Sequence, residues 1–70
     1  MKEITINSEF IKLDQFLKWA EVSSTGGESK ALIIDGKIKV NNAVEFARGK
    51  KLHEGDIIEV LGEQYKIVKE

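Results

Sequence analysis

TGGESKALIIDGKIKVNN, residues 25–42, carries both boundaries of a helix and the strand that follows it. Thr25-Gly-Gly-Glu28 fits a capping box: the threonine hydroxyl accepts from the amide three residues on, and the glutamate reaches back to the cap. Gly36 fits the left-handed position that ends a helix. Between them, Ala31, Leu32 and a following isoleucine supply an apolar face. A helix of about two to three turns holds by packing, not by propensity. Lys37 to Asn41 then alternates, with Ile38 and Val40 turned toward a core and Lys37, Lys39 and Asn41 turned out. Asn41-Asn42 is a turn signal, since asparagine tolerates positive φ.

The elements on either side follow from the same periodicities. KEITIN (residues 2–7) alternates as a strand, with Ile4 and Ile6 on one side. KLDQFLKWAEV (residues 12–22) spaces Leu13, Phe16, Leu17 and Ala20 as one stripe of an amphipathic helix. Trp19 lies off that stripe and either covers a neighbouring element or stands exposed as a stacking platform. Val44 and Phe46 offer a brief return strand, ARGKKL (residues 47–52) a basic connection, and His53 to Asp56 a turn. Ile57 to Val60 form a strand, Leu61 to Gln64 turn the chain back, and Tyr65, Ile67 and Val68 make the last strand. The expected order is β–α–α–β–β–β–β, an α+β fold. Its expected core is Leu13, Phe16, Leu17, Leu32, Ile38, Val40, Ile58 and Val60.

Seventy residues make one domain, residues 1–70, with a limited core. Cysteine is absent, so no disulfide and no thiolate metal site is available. MKEITIN has no apolar run after its lysine, so no signal peptide is expected. No stretch approaches the roughly 18 apolar residues of a membrane helix. A cytoplasmic monomer with no membrane association is expected.

The net charge of −1 hides a segregation. Residues 1–29 hold three lysines against five acids, and residues 54–70 hold two lysines against five. Residues 30–53 hold six cations, Lys30, Lys37, Lys39, Arg48, Lys50 and Lys51, against Asp35 and Glu45. A local positive field of this kind recruits a polyanion even on an acidic chain, though a solvated lysine face with no partner has the same composition.

Catalytic patterns are missing. His53 is the only histidine, so no His/His or His/Cys metal set exists. No serine sits in G-x-S-x-G. Glu54, Asp56 and Glu59 lack the register of a hard-cation loop and read as solvated turn acids. Gly26-Gly27 is no P-loop. These glycines open the start of the second helix to close approach by a phosphate, or simply make a tight turn between helices. No enzyme activity and no cofactor are expected.

Several runs align with one known family. K-L-D-Q-F-L opens the first helix, S-K-A-L-I-I lies in the second, L-I-I-D-G-K-I-K-V-N-N follows, and K-L-H-E-G-D-I-I-E-V comes later. This resembles the small RNA-binding domain named after small-subunit ribosomal protein four (the S-four domain), over about Lys12 to Val60. The glycine-bearing turn between the helices is similar to that of the stand-alone YaaA/YbcJ type. The resemblance implies two antiparallel helices packed on a small, mostly antiparallel twisted sheet, the alpha-L RNA-binding motif. It also implies binding of structured RNA, ribosomal or transfer RNA, with the ribosomal subunit as a further partner. Positions matching family contacts are Lys12 at the usual arginine of R-L-D, Thr25 at the inter-helix Ser/Thr, and Lys30 on the second helix. Lys39 and Asn41 match on the strand and its turn, and Lys50 and Lys51 on the basic loop. Gly26, Gly27 and Lys37 complete the candidate RNA-binding set. The chain departs from the pattern where Lys12 and Gly26 replace arginines and Asn42 replaces glycine. Lysine is a point charge without a bidentate fork, so recognition of RNA shape and backbone is expected over base-edge readout. The alternative is a ribosome-associated protein–protein adaptor.

Overall fold

The computed structural model describes all residues, 1–70. In chain order the elements are β1 (Lys2–Ile6), β2 (Ile11–Lys12), α1 (Leu13–Trp19), α2 (Gly26–Ile34), β3 (Ile38–Val40), β4 (Ala43–Val44), β5 (Lys51–Leu52), β6 (Ile57–Val60) and β7 (Glu63–Lys69). Five strands form one sheet in the order β1-β7-β6-β3-β4. All its pairs are antiparallel except β1 with β7, whose parallel register sets Ile4 against Ile67. The expected α+β class, with two helices and a mostly antiparallel sheet, is therefore observed.

The start and stop of α2 are those written in the sequence. Thr25 Oγ1 accepts the Glu28 amide at 3.1 Å. The glutamate reaches one residue past the cap, where Oε1 accepts from the Ser24 hydroxyl at 2.7 Å and the Ser24 amide at 3.2 Å. Those bonds from Ser24, with a smaller contribution from Thr25, hold the Glu28 carboxyl below its ordinary range. A depressed folded value means the capping contribution is present at neutral pH and is lost as pH falls through that value. Gly36 adopts φ +72°. Its amide donates to the Ile33 carbonyl at 3.1 Å, and the Lys37 amide donates to Leu32 at 3.1 Å. This is the paired closure of a Schellman motif.

Helix α1 stops earlier than its apolar stripe suggests. The Glu21 amide donates to Lys18 and the Val22 amide to Leu17, at 3.1 and 2.9 Å, and Glu21 takes φ +61°. The closure is again Schellman-like, but a residue with a Cβ occupies the left-handed site, so no glycine announces it. Replacing Glu21 with Gly is expected to stabilise the domain by about 1 kcal/mol, a rise in melting temperature of about 4–8 °C. A thermal melt of the variant checks this, and an unchanged midpoint refutes it.

The core lies between the helices and one face of the sheet. It contains Ile6, Leu13, Phe16, Leu17, Ile33, Ile38, Val40, Leu52, Ile58, Val60, Tyr65 and Ile67. One expected member differs: Leu32 only packs against the edge of this cluster, and Ile33 is buried in its place. The reason is the helix crossing. Ser29 is fully buried there and touches both the Ser23 hydroxyl and the Asp14 carbonyl. Ile33, one turn after Ser29, shares its face. Trp19, 64% exposed, covers the outer edge of β1, where its Nε1 donates to the Thr5 carbonyl at 3.2 Å. Covering an edge strand in this way blocks pairing with another chain.

Two expectations between residues 43 and 52 are corrected. The return strand is only Ala43–Val44, and Phe46 lies beyond it with its ring exposed. The basic connection is not all loop: Lys51–Leu52 pairs antiparallel with Ile11–Lys12 as a separate ribbon. Its Leu52 is fully buried and anchors the ribbon to the core.

Candidate functional site

The ribbon assembles the densest group of candidate residues. Its register sets Lys12 directly opposite Lys51 and Ile11 opposite Leu52. Residues opposite each other in an antiparallel pair project from the same face, so both lysines leave one side while Leu52 fills the core. The loop that reaches β5 also closes the start of α1. The Leu13 amide donates to the Lys50 carbonyl at 2.8 Å, and the Asp14 amide donates to the Arg48 carbonyl at 3.2 Å. Lys12, at the N-cap, contributes no side-chain cap. The backbone of the basic loop does that work, so the side chains of Lys12, Arg48, Lys50 and Lys51 stay exposed around one helix end.

This arrangement has an electrostatic cost. Two lysines stand directly opposite each other across the ribbon, and like charges placed so are destabilising. None of the four cations is paired with an acid; the sole ion pair in the chain joins Lys69 to Glu9 at 3.0 Å. Lys51 finds a different neighbour, with Nζ 4.8 Å from the centroid of the Phe10 ring, and that ring lies 6.2 Å from the His53 ring. The cation–π contact holds Lys51 in place while leaving its charge unneutralised.

Helix α2 adds Lys30. Its neighbour Ser29 sits 3.4 Å from the Asp14 carbonyl, which anchors α2 beside the first turn of α1. Gly26 and Gly27 open α2 and are exposed. Neither has a positive φ, and a Cβ added at Gly26 would meet nothing within 4 Å. The turn between the helices therefore does not require these glycines. Their amides make no hydrogen bond within the chain. Thr25, by contrast, has its hydroxyl engaged by Glu28.

Lys39 belongs to another surface. It is exposed between buried Ile38 and Val40, on the sheet face away from the core, with Val44 and Glu59 as cross-strand partners. Lys37 is exposed just before β3. The candidate lysines are thus divided between the ribbon end and the open sheet face.

Asn41, though exposed, already uses its side chain within the fold. At φ +51° it opens the β3–β4 turn. Its Oδ1 accepts the Ile57 amide at 2.9 Å, and its Nδ2 donates to Asp56 Oδ1 at 3.1 Å. Asp56 Oδ2 in turn accepts the His53 amide at 2.8 Å. The V-N and G-D fragments that carry the sequence resemblance are two halves of one clasp. Asp56 is accordingly a structural turn acid, not part of a cation site, and no group of His, Cys, Asp or Glu side chains gathers to hold a metal.

Charge patterning along the chain points to the loop lysines but not to Phe10, nor to the carbonyls of Arg48 and Lys50. The only signal for these is the I-K and K-L pair of alternations. A groove of about 400 Å³ lies at the other end of α1, lined by Lys18, Glu21, Val22, Ser23, Ser24 and Glu28. Its two carboxylates disfavour an anion.

Known proteins share this fold. The family model described as the S4 domain matches residues 4–68. A Bacillus subtilis (strain 168) protein described as "Probable ribosome maturation protein RlbA" is 41% identical over 59 residues, covering 84% of this chain and 83% of that protein. The solution structure of YbcJ from Escherichia coli, described as having an αL motif involved in RNA binding, superimposes with a TM-score of 0.74 at 26% identity. It covers 97% of this chain and 87% of that one. No helix is long and apolar enough to cross a membrane.

Proposed function

This chain belongs to the S4 domain family, and from that premise we propose that it binds structured RNA through the cations gathered at the start of α1, in the service of ribosome maturation. Ribosomal RNA is the favoured ligand over transfer RNA, because the related Bacillus protein is described as a ribosome maturation protein. The reading is one of binding, not catalysis.

The observation that carries it is the unneutralised pair Lys12 and Lys51, held face to face by β2 and β5. The pair adds a small repulsion to the fold that a bound polyanion would relieve. Lys50 and Arg48 flank the pair, and Lys30 adds a cation on α2, whereas the Gly26-Gly27 turn lies beside the Glu28 carboxylate. Ammonium groups on exposed stems suit phosphate oxygens, whose contacts accept any cation geometry. The ligand is therefore selected by where its phosphates lie, which favours folded RNA of defined shape.

With about four to five phosphate contacts, log affinity is expected to fall with log salt at a slope of roughly −3 to −4. Titration of a ribosomal RNA fragment across a range of salt concentrations measures it. A slope near zero excludes the mechanism and favours a protein partner on the ribosome.

A further inference from the structure

We propose that Phe46 is a stacking site for one unpaired base of the RNA, a subsite separate from the lysines at the start of α1. This rests on the RNA-binding reading. Phe46 is 62% exposed. A Cβ built on Gly36 would lie 3.6 Å from Phe46 Cε1 and 3.8 Å from Val44 Cγ1. The Phe46 ring and the Val44 side chain thus lie side by side next to Gly36, with space for a methyl between them and its backbone. Val44, 44% exposed, makes with the ring a small apolar patch.

The charge around the patch selects the occupant. Lys37 just before β3 and Lys39 on it precede the patch, with Lys39 directly across from Val44. Arg48 follows two residues after Phe46. None of the three forms an ion pair. Glu45, the acid in the middle, has Oε2 turned onto the Ala47 amide at 3.1 Å. Asp35 and Glu59 remain as the other acids on the neighbouring elements. Aromatic rings set among cations are the recurring platform for single-stranded nucleic acid, because every base has a face to stack. Two partly exposed side chains also fall well short of the ~800 Å² that a standard protein interface takes from each partner, whereas one base needs no more.

Chain connectivity links this subsite to the phosphate contacts. Phe46 and Lys50 are four residues apart, so their Cα atoms lie within about 14 Å of each other. The turn that closes with the Lys50 amide on the Ala47 carbonyl, at 3.2 Å, shortens that span. An RNA strand whose phosphates meet Lys50 and Lys51 can place a looped-out base over Phe46 without leaving the surface.

The test uses the full chain and two probes: an RNA hairpin with an unpaired purine loop, and a blunt duplex of the same stem. Phe46→Ala and Phe46→Leu are expected to weaken hairpin binding about 5- to 100-fold, to change duplex binding less than twofold, and to leave the salt slope unaltered. Leucine keeps an apolar side chain beside Gly36 but removes the flat ring. Phe46→Trp is expected to keep hairpin affinity and show emission quenched by the hairpin, above the background set by Trp19, the chain's only tryptophan. The stacking proposal is overturned, with RNA binding intact, if Phe46→Ala binds the hairpin as the wild type does while substitution of Lys12 and Lys50 by Glu abolishes binding. Equal loss on both probes also overturns it, since it assigns the ring to packing. If neither set of variants changes hairpin binding, the start of α1 is excluded as the RNA contact along with the stacking site, and the failure lies in the proposed RNA-binding surface.

Discussion

The double variant Lys12→Glu, Lys50→Glu is expected to bind structured RNA at least about 100-fold more weakly than the wild-type chain, yet to melt at the same temperature or slightly higher. The binding loss follows from two charge-assisted contacts, each worth about 1.5–3 kcal/mol. The salt slope should also flatten by roughly 1.6, from about 0.8 per phosphate contact. The fold should tolerate both changes. Glu at position 12 turns the Lys12–Lys51 repulsion into an attraction across the ribbon. It also sets a carboxylate at the N-cap of α1, where the helix dipole favours negative charge. Lys50 serves α1 through its backbone carbonyl, which the substitution leaves in place. Stability and affinity therefore move in opposite directions, a signature that general unfolding cannot imitate. Titration at fixed salt and thermal melting of the same sample measure both. Affinity within twofold of wild type would exclude the start of α1 as the RNA contact.

Much of this surface is legible in the amino-acid sequence, for reasons that differ by residue. Thr25, Glu28 and Gly36 are readable because caps are local: each bond they make spans a few residues. Asn41-Asn42 is readable because few residue types accept positive φ. The ribbon of β2 and β5 is not, since two residues per strand are too few for a period to emerge. Leu32 cannot be told from Ile33 within an unbroken apolar run. Ser29 at the helix crossing, a tertiary contact, makes the choice between them. The Glu21 stop is hidden because a non-glycine residue bears it. The split of the lysines into two surfaces depends on which strand faces which. Spacing along the chain puts Lys39 and Lys51 in one basic window. Pairing sets Lys39 beside Glu59 and Lys51 beside Lys12.

Asn41 is where the sequence resemblance and the structure part most sharply, and its replacement should affect stability more than any surface change above. Asn41→Ala is expected to cost about 2–3 kcal/mol: two side-chain hydrogen bonds are lost, and alanine is forced into a left-handed backbone. The Ile57 amide loses its side-chain acceptor, and Asp56 keeps only its bond from His53. In a domain of this size the loss lowers the melting temperature by about 10–20 °C. Asn41→Gly separates the two causes. Glycine accepts φ +51° without strain, so its smaller loss isolates the clasp, and the difference between the variants measures the backbone. The same variant decides what the residue is for. If the asparagine serves only to tie the β3–β4 turn to the turn before β6, Asn41→Gly binds RNA within twofold of wild type at a temperature where both are folded. If instead Asn41→Gly melts like the wild type and loses affinity, the amide is an RNA contact and the clasp is incidental.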